Sequence, residues 1–301
     1  MRTLASWLVA RPWNSVLGLS LTLLLPFAPM LSGAVLVLLV LANGAQRAIL
    51  QAAAAAALLS GLMFAFGDPV PLLLVDAASA WVPALLLALL LAGTRSLTLS
   101  LQVSVIVAAL ATLGFFVAVG DPIAFWESRL AELAGAFEEM GFSEESGLLT
   151  AQADKIAPQM TMLFVFLTWS MSALVLVLGY GLYQQLPEKK GTLGRFSDLH
   201  FGRVLALVMA VVSLLALVTN VAWIESLAFV MFAVFWLQGA ALVHWLHTDG
   251  PLPVMAVVAI YALLPILNLL LVTVLAVVGY TDAWFNYRPR IAARRAASRD
   301  G

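Results

Sequence analysis

The chain has 301 residues, of which 63% are hydrophobic and 10% charged, with a formal net charge of −1 and a mean hydropathy of +1.03. That composition leaves too little polar surface to enclose a water-soluble globule, so the sequence reads as an all-α, polytopic transmembrane helix bundle. The net charge is uninformative as a total, but the charges are sorted along the chain in a way that sets membrane orientation rather than suggesting nucleic acid, and the absence of cysteine excludes disulfides, thiolate metal sites and thiol nucleophiles.

From the N-terminus, Arg2 and Arg11 precede an apolar run from Ser15 to Ala42 with no small-x-small cleavage site, which is expected to be a retained anchor rather than a leader. Basic residues then recur between apolar runs, at Arg47, at Arg95, from Lys189 to Arg203 and from Arg288 to Arg299. The positive-inside rule assigns all of these to the cytoplasmic side of a bacterial inner membrane, with both termini inside. Each intervening stretch must therefore cross an even number of times. For Ser15 to Ala42 this requires two short helices folded about Pro26-Phe27-Ala28-Pro29, where proline removes a backbone donor. The competing reading is one tilted crossing, which would leave Arg47 outside.

Ala48 to Phe66 is a span opened by the alanine run Ala52 to Ala57, a smooth face for close helix contact. Gly67, Asp68, Pro69 and Pro71 make an outer turn, Leu72 to Ala92 returns, and Leu97 to Val119 leads out again. The stretch from Asp121 to Ala157 follows, with eight of the sixteen acids of the chain. Its residues Trp126, Leu130, Leu133, Phe137 and Met140 are spaced four, three, four and three apart. They form one stripe of an amphipathic helix, ended by Gly141 and expected to cover the outer side of the bundle, with Ser143 capping the next helix. Pro158 to Leu186 returns, Val204 to Val221 leaves, and Ser226 to Leu246 returns. The run from Val254 to Tyr280 holds Pro265 and Asn268 and is expected to fold back at Leu264 to Asn268. The count is about eight to ten crossings, eight if each proline-broken run crosses once. The layout is a first membrane half (1–120), an outer segment (121–157), a second half (158–287) and a basic tail (288–301).

Asp76 lies inside an apolar run with Ser79 on the same helical side. A carboxylate in lipid must face the protein, pair or take a proton, which makes it a candidate ligand-binding group. Asp68, Asn220, Glu225 and Asn268 fall at outer helix ends and would join Asp76 and Ser79 in an outward-facing pocket for a small molecule. The ordinary alternative is helix capping and hydrogen bonding between helices. His244 and His247 share a helix face but lack further ligands for a metal site. Asp282, Trp284 and Arg288 are candidates for contact with a membrane protein partner or a lipid headgroup, against the plainer reading of an aromatic belt and an Asp282–arginine pair. No phosphate-binding loop, hydrolase elbow or metalloprotease signature is present, and neither a catalytic set nor a cofactor is expected.

The ending Gly279-Tyr280-Thr281-Asp282-Ala283-Trp284-Phe285-Asn286-Tyr287-Arg288 resembles the closing motif of the YybS-like family of bacterial membrane proteins. Asn43-Gly44-Ala45-Gln46-Arg47 and Gln238-Gly239 are also similar to features of that family. The family is distantly similar to the substrate-binding subunits of energy-coupling-factor transporters, six-helix proteins that hold a vitamin or metal and dock on a shared transporter module. Ser15 to Leu25 lacks the Ala-x-x-x-Ala docking pattern of those subunits. What the resemblance implies is a small-molecule binding or transport subunit. A scaffold in an envelope or cell-shape complex and an enzyme acting on a lipid-linked substrate are the alternatives.

Overall fold

The computed structural model describes residues 2–297 apart from 26, 68, 188–190 and 192. The described residues form α-helices joined by turns, with one 3-10 turn at Phe196–Asp198 and no strand. In hydrocarbon every backbone N–H and C=O must be satisfied within the protein, and a helix does this inside each segment. In chain order the helices are α1 (Arg2–Ala10), α2 (Pro12–Leu23), α3 (Ala28–Asn43), α4 (Ala45–Phe66), α5 (Val70–Thr94), α6 (Leu97–Val119), α7 (Pro122–Glu139) and α8 (Ser143–Gln184). They continue with α9 (Gly202–Thr219), α10 (Ala222–Thr248), α11 (Val254–Leu263), α12 (Asn268–Phe285) and α13 (Tyr287–Ala297).

Among the described residues six helices are long and apolar enough to cross a membrane, namely α4, α5, α6, α8, α9 and α10, with a seventh if α12 and the bent α13 count as one. The chain is a multi-pass membrane protein. The eight to ten crossings read from the sequence include short, proline-broken ones, which here are helices of 12, 16 and 10 residues in α2, α3 and α11. At 1.5 Å per residue these reach about 18, 24 and 15 Å, short of a hydrocarbon core of roughly 30 Å. Both breaks fall where proline places them. Phe27, in the left-handed region at φ 62°, starts α3, and the Ser32 hydroxyl donates to the Leu19 carbonyl at 3.1 Å. This folds α3 back on α2 and favours the hairpin over a single tilted crossing. The later break spans Leu264 to Leu267.

The chain divides into two compact units. The first comprises residues 1–101 and 171–196. Within it α4 packs on α2, α3 and α5 through a buried face of Ala48, Gln51, Ala52, Ala55 and Leu59, so the alanine run supplies a contact surface as expected. Trp81 Nε1 donates to Ser32 Oγ at 2.8 Å, tying α5 to the hairpin. A Cβ on Gly179 would stand 2.5 Å from the Ala34 carbonyl, so glycine sets the approach of α8 to α3. The Tyr180 hydroxyl donates to the Gly194 carbonyl at 2.7 Å and accepts from the Leu193 N–H at 2.8 Å and from Gln184 Nε2. This anchors the connector that follows α8.

The second unit comprises residues 102–170 and 197–301. Three of its tryptophans repeat the same device, an indole N–H donated to a hydroxyl on another helix. Trp126 bonds Thr161 at 2.8 Å, Trp169 bonds Ser104 at 3.1 Å, and Trp236 bonds Ser170 at 3.0 Å. Consecutive residues Trp169 and Ser170 thereby link α8 to α6 and to α10. An indole has one donor and no acceptor, so in an apolar interior a hydroxyl is the smallest group that satisfies it.

The acidic stretch forms α7 and the start of α8. Asp121 caps α7 by accepting from the Ile123 and Ala124 N–H groups at 3.0 and 3.1 Å. Gly141 at φ 88° terminates it, and α8 begins at Ser143. The inward stripe is Trp126, Leu130, Ala134 and Phe137, whereas Leu133 and Met140 are exposed. The expected spacing drifted off the docked face, because the 3.6-residue period turns Leu133 and Met140 away while the small Ala134 lets the helix sit close. A helical start at Pro158 is also corrected, since α8 runs unbroken from Ser143 through Pro158. The second half of the acidic stretch is thus the first third of a 42-residue helix.

Trp236→Phe keeps the ring and loses the donor. It is expected to lower thermal stability by about 0.5–1.5 kcal/mol, with little further loss on adding Ser170→Ala. Strictly additive effects in a double-mutant cycle would show that the bond contributes nothing.

Candidate functional site

Where α10 meets α12, two glycines remove the side chains that would hold the helices apart. A Cβ on Gly239 would lie 1.9 Å from the Leu275 carbonyl oxygen, and one on Gly279 would lie 2.0 Å from that of Phe235. This contact brings the fully buried Gln238 within reach of α12. Its Nε2 donates to the Gly279 carbonyl and to Asp282 Oδ2, both at 3.0 Å, and its Oε1 accepts the Phe201 N–H at 2.8 Å. Asp282 has no exposed surface.

Its charge is met by Arg288. Asn286, at φ 49°, closes α12 in the left-handed region, and the chain turns by 75° into α13. That bend carries the arginine six residues on back over Asp282. Arg288 Nη1 donates to Asp282 Oδ2 at 2.7 Å, and the other oxygen, Oδ1, accepts the Tyr287 N–H at 3.1 Å. Arg288 Nε and Nη2 donate to the Ser197 and Leu199 carbonyls at 3.2 and 3.0 Å. Burial draws the Arg288 pKa below its usual range, and Asp282 opposes that draw. With Arg203 Nη2 donating to the Trp284 carbonyl at 3.4 Å and Arg295 Nη1 to that of Asp249 at 2.6 Å, these three arginines gather at one end of the unit.

The structure thus brings Asp282 and Arg288 together, in the plainer of the two ways the sequence allowed. Trp284 packs with Tyr280 against the cluster of Ala206, Phe235 and Ala283. Asp76 is exposed on α5, and Ser79 Oγ donates to the Asp76 backbone carbonyl at 2.8 Å. Asp68 lies outside the described residues. In the second unit Asn220, at φ 51°, closes α9. Glu225 sits in the first turn of α10, where a carboxylate is favoured by the helix dipole, and Asn268 begins α12. His244 Nε2 hydrogen-bonds the Tyr261 hydroxyl at 2.9 Å, and His247 Nδ1 lies 3.2 Å from the Leu252 carbonyl oxygen.

A partly open crevice of about 240 Å³ lies in the same unit, where α7 begins. Its walls include Phe116, Pro122, Ile123, Ala157, Pro158 and Ala222, and its polar groups are Asp121, Thr161 and Ser226. The Ser226 hydroxyl donates to the Ala222 carbonyl. Thr161 is 5% exposed, and its hydroxyl accepts from Trp126 while its own hydrogen meets no acceptor among the described residues. Asp121 caps α7 with one oxygen, and the other accepts nothing among the described residues. This donor and acceptor at an apolar hollow escaped sequence reasoning, because Thr161 looks like any hydroxyl in an apolar run.

No protein-family profile, curated protein or solved structure matches the chain.

Arg288→Ala would strand the Asp282 carboxylate and is expected to cost about 3–5 kcal/mol, whereas replacing both partners with leucine costs far less. Thermal unfolding of the purified protein checks this. A single variant as stable as wild type would show that the pair does not hold the helix ends together.

Proposed function

We propose that this multi-pass membrane protein is a small-molecule binding subunit of a bacterial inner membrane, with both termini cytoplasmic and the ligand held in the crevice at the start of α7. The observation that carries this reading is the hydroxyl of the buried Thr161, a residue that lines the crevice, with its hydrogen unspent among the described residues. A buried hydroxyl without an acceptor is costly, and a ligand carbonyl or hydroxyl oxygen would meet that need. The second oxygen of Asp121 would take a ligand donor, and Phe116, Ile123 and Pro158 would cover the apolar part. The chemistry fits a small, mostly apolar molecule with one donor and one acceptor.

This reading moves the binding site from Asp76 to the end of α6, the first half of α8 and the start of α10. With the arginine-rich end of the second unit inside, by the positive-inside rule, the crevice opens on the outer side. Binding there suits uptake in company with an energising membrane partner, since the chain has no nucleotide-binding motif of its own.

Native mass spectrometry of gently extracted protein is expected to show an adduct of a few hundred daltons at most, roughly the size such a crevice accepts. Thr161→Phe should fill the space and remove the adduct. A wild-type protein with no adduct, or a variant that keeps it, would overturn the assignment.

A further inference from the structure

Helix α13 has four arginines, Arg288, Arg290, Arg294 and Arg295, and no acid. They divide between two faces. Arg288 and Arg295 are half-buried with Ile291 between them, and both are tied to the protein, Arg288 through Asp282 and Arg295 through the Asp249 carbonyl. Arg290 and Arg294, four residues apart and so on one side of the helix, are exposed. The helix is fixed near both ends while its outward face presents two guanidinium groups.

Its position defines what those groups meet. The apolar α12 ends at Phe285, and the 75° bend turns α13 across the axis of that helix instead of along it. Phe285 is half exposed and stacks on Tyr287, with ring centroids 6.2 Å apart. The Arg290 guanidinium lies over the Phe285 ring at 5.9 Å. An exposed aromatic pair at the end of a membrane helix marks the level where hydrocarbon gives way to headgroups, and a cationic helix lying there faces phosphate.

We propose that the outward face of α13 is a docking surface for the phosphates of anionic phospholipids in the adjoining leaflet, with Arg290 and Arg294 as the contacts. Arginine suits the task because its planar fork can donate two hydrogen bonds to one phosphate. Phe285 and Tyr287 supply the apolar floor under the acyl–glycerol junction. The site is separate from the Asp282–Arg288 pair, in which all three Arg288 nitrogens already donate within the protein, and it does not depend on the crevice at α7.

Purified full-length protein in a mixed micelle of phosphatidylglycerol and phosphatidylcholine provides the test, with retained lipids counted by native mass spectrometry. Wild type should retain phosphatidylglycerol in preference. Arg290→Gln and Arg294→Gln should each reduce that preference roughly fivefold, the effect of one basic residue near an anionic surface, while the Arg290→Lys/Arg294→Lys protein keeps most of it. Millimolar inorganic phosphate should not displace the lipid. Unchanged preference in the double glutamine variant would overturn the proposal, and so would displacement by phosphate, which would make this a simple anion site. Binding of an acidic protein that survives at full strength in anionic vesicles would overturn it as well. Both substituted side chains are exposed, so an unchanged unfolding temperature serves to verify the fold.

Discussion

A carboxylate with no accessible surface at the end of an apolar helix has to be neutralised from within the protein, and here the neutralising group comes from the same chain six residues later. Arg288 reaches Asp282 only because Asn286 ends α12 in the left-handed region and the backbone turns sharply. The pair would still leave carboxylate lone pairs and guanidinium donors unmet. Gln238, the Tyr287 N–H and the Ser197 and Leu199 carbonyls complete the set. A buried ion pair is worth keeping only when such additional bonds offset its desolvation. In meeting that condition the network joins α10, α12, α13 and the connector before α9.

The same rule operates on a smaller scale across the bundle. In lipid there is little hydrophobic gain from bringing two helices together, so association rests on close packing and hydrogen bonds between helices. The protein uses small residues for the first, at Gly239 and Gly279 and along the alanine face of α4. It uses tryptophan with serine or threonine for the second, at Trp81, Trp126, Trp169 and Trp236. Polar atoms in the interior are therefore mostly committed to the fold. One left unspent, the Thr161 hydrogen, is informative because it is an exception.

What the sequence shows well is whatever has a period or a break. Long apolar runs gave the spanning helices, Pro26 and Pro265 marked the two interruptions, and Gly141 and Ser143 bounded α7 and α8. A terminal Asp282–arginine pair was also legible, since an acid and a basic cluster at the end of one apolar run have few other partners. Less legible was anything that depends on which faces meet. Leu133 was expected inward and Ala134 was overlooked, because hydrophobicity ranks leucine higher while close docking favours the smaller side chain. Gln238 stood out only by resemblance, and the partners of four tryptophans lie between 35 and 66 residues away in sequence. Contacts at that range leave no local pattern.

The acidic stretch from Asp121 to Ala157 shows how composition and role can part. It holds half of the acids of the chain, and they are for the most part solvated: Asp121 is a helix cap, Glu132 pairs with Arg129 on the surface at 2.6 Å, and Glu127, Glu138, Glu139 and Asp154 are exposed. Their physical effect is to keep α7 and the start of α8 in water while Trp126 and Leu130 hold α7 down. An apolar hollow at the edge of such a segment is reached from water on one side and walled by membrane helices on the other. Thr161, anchored by the tryptophan that docks α7, is the buried hydroxyl on that wall.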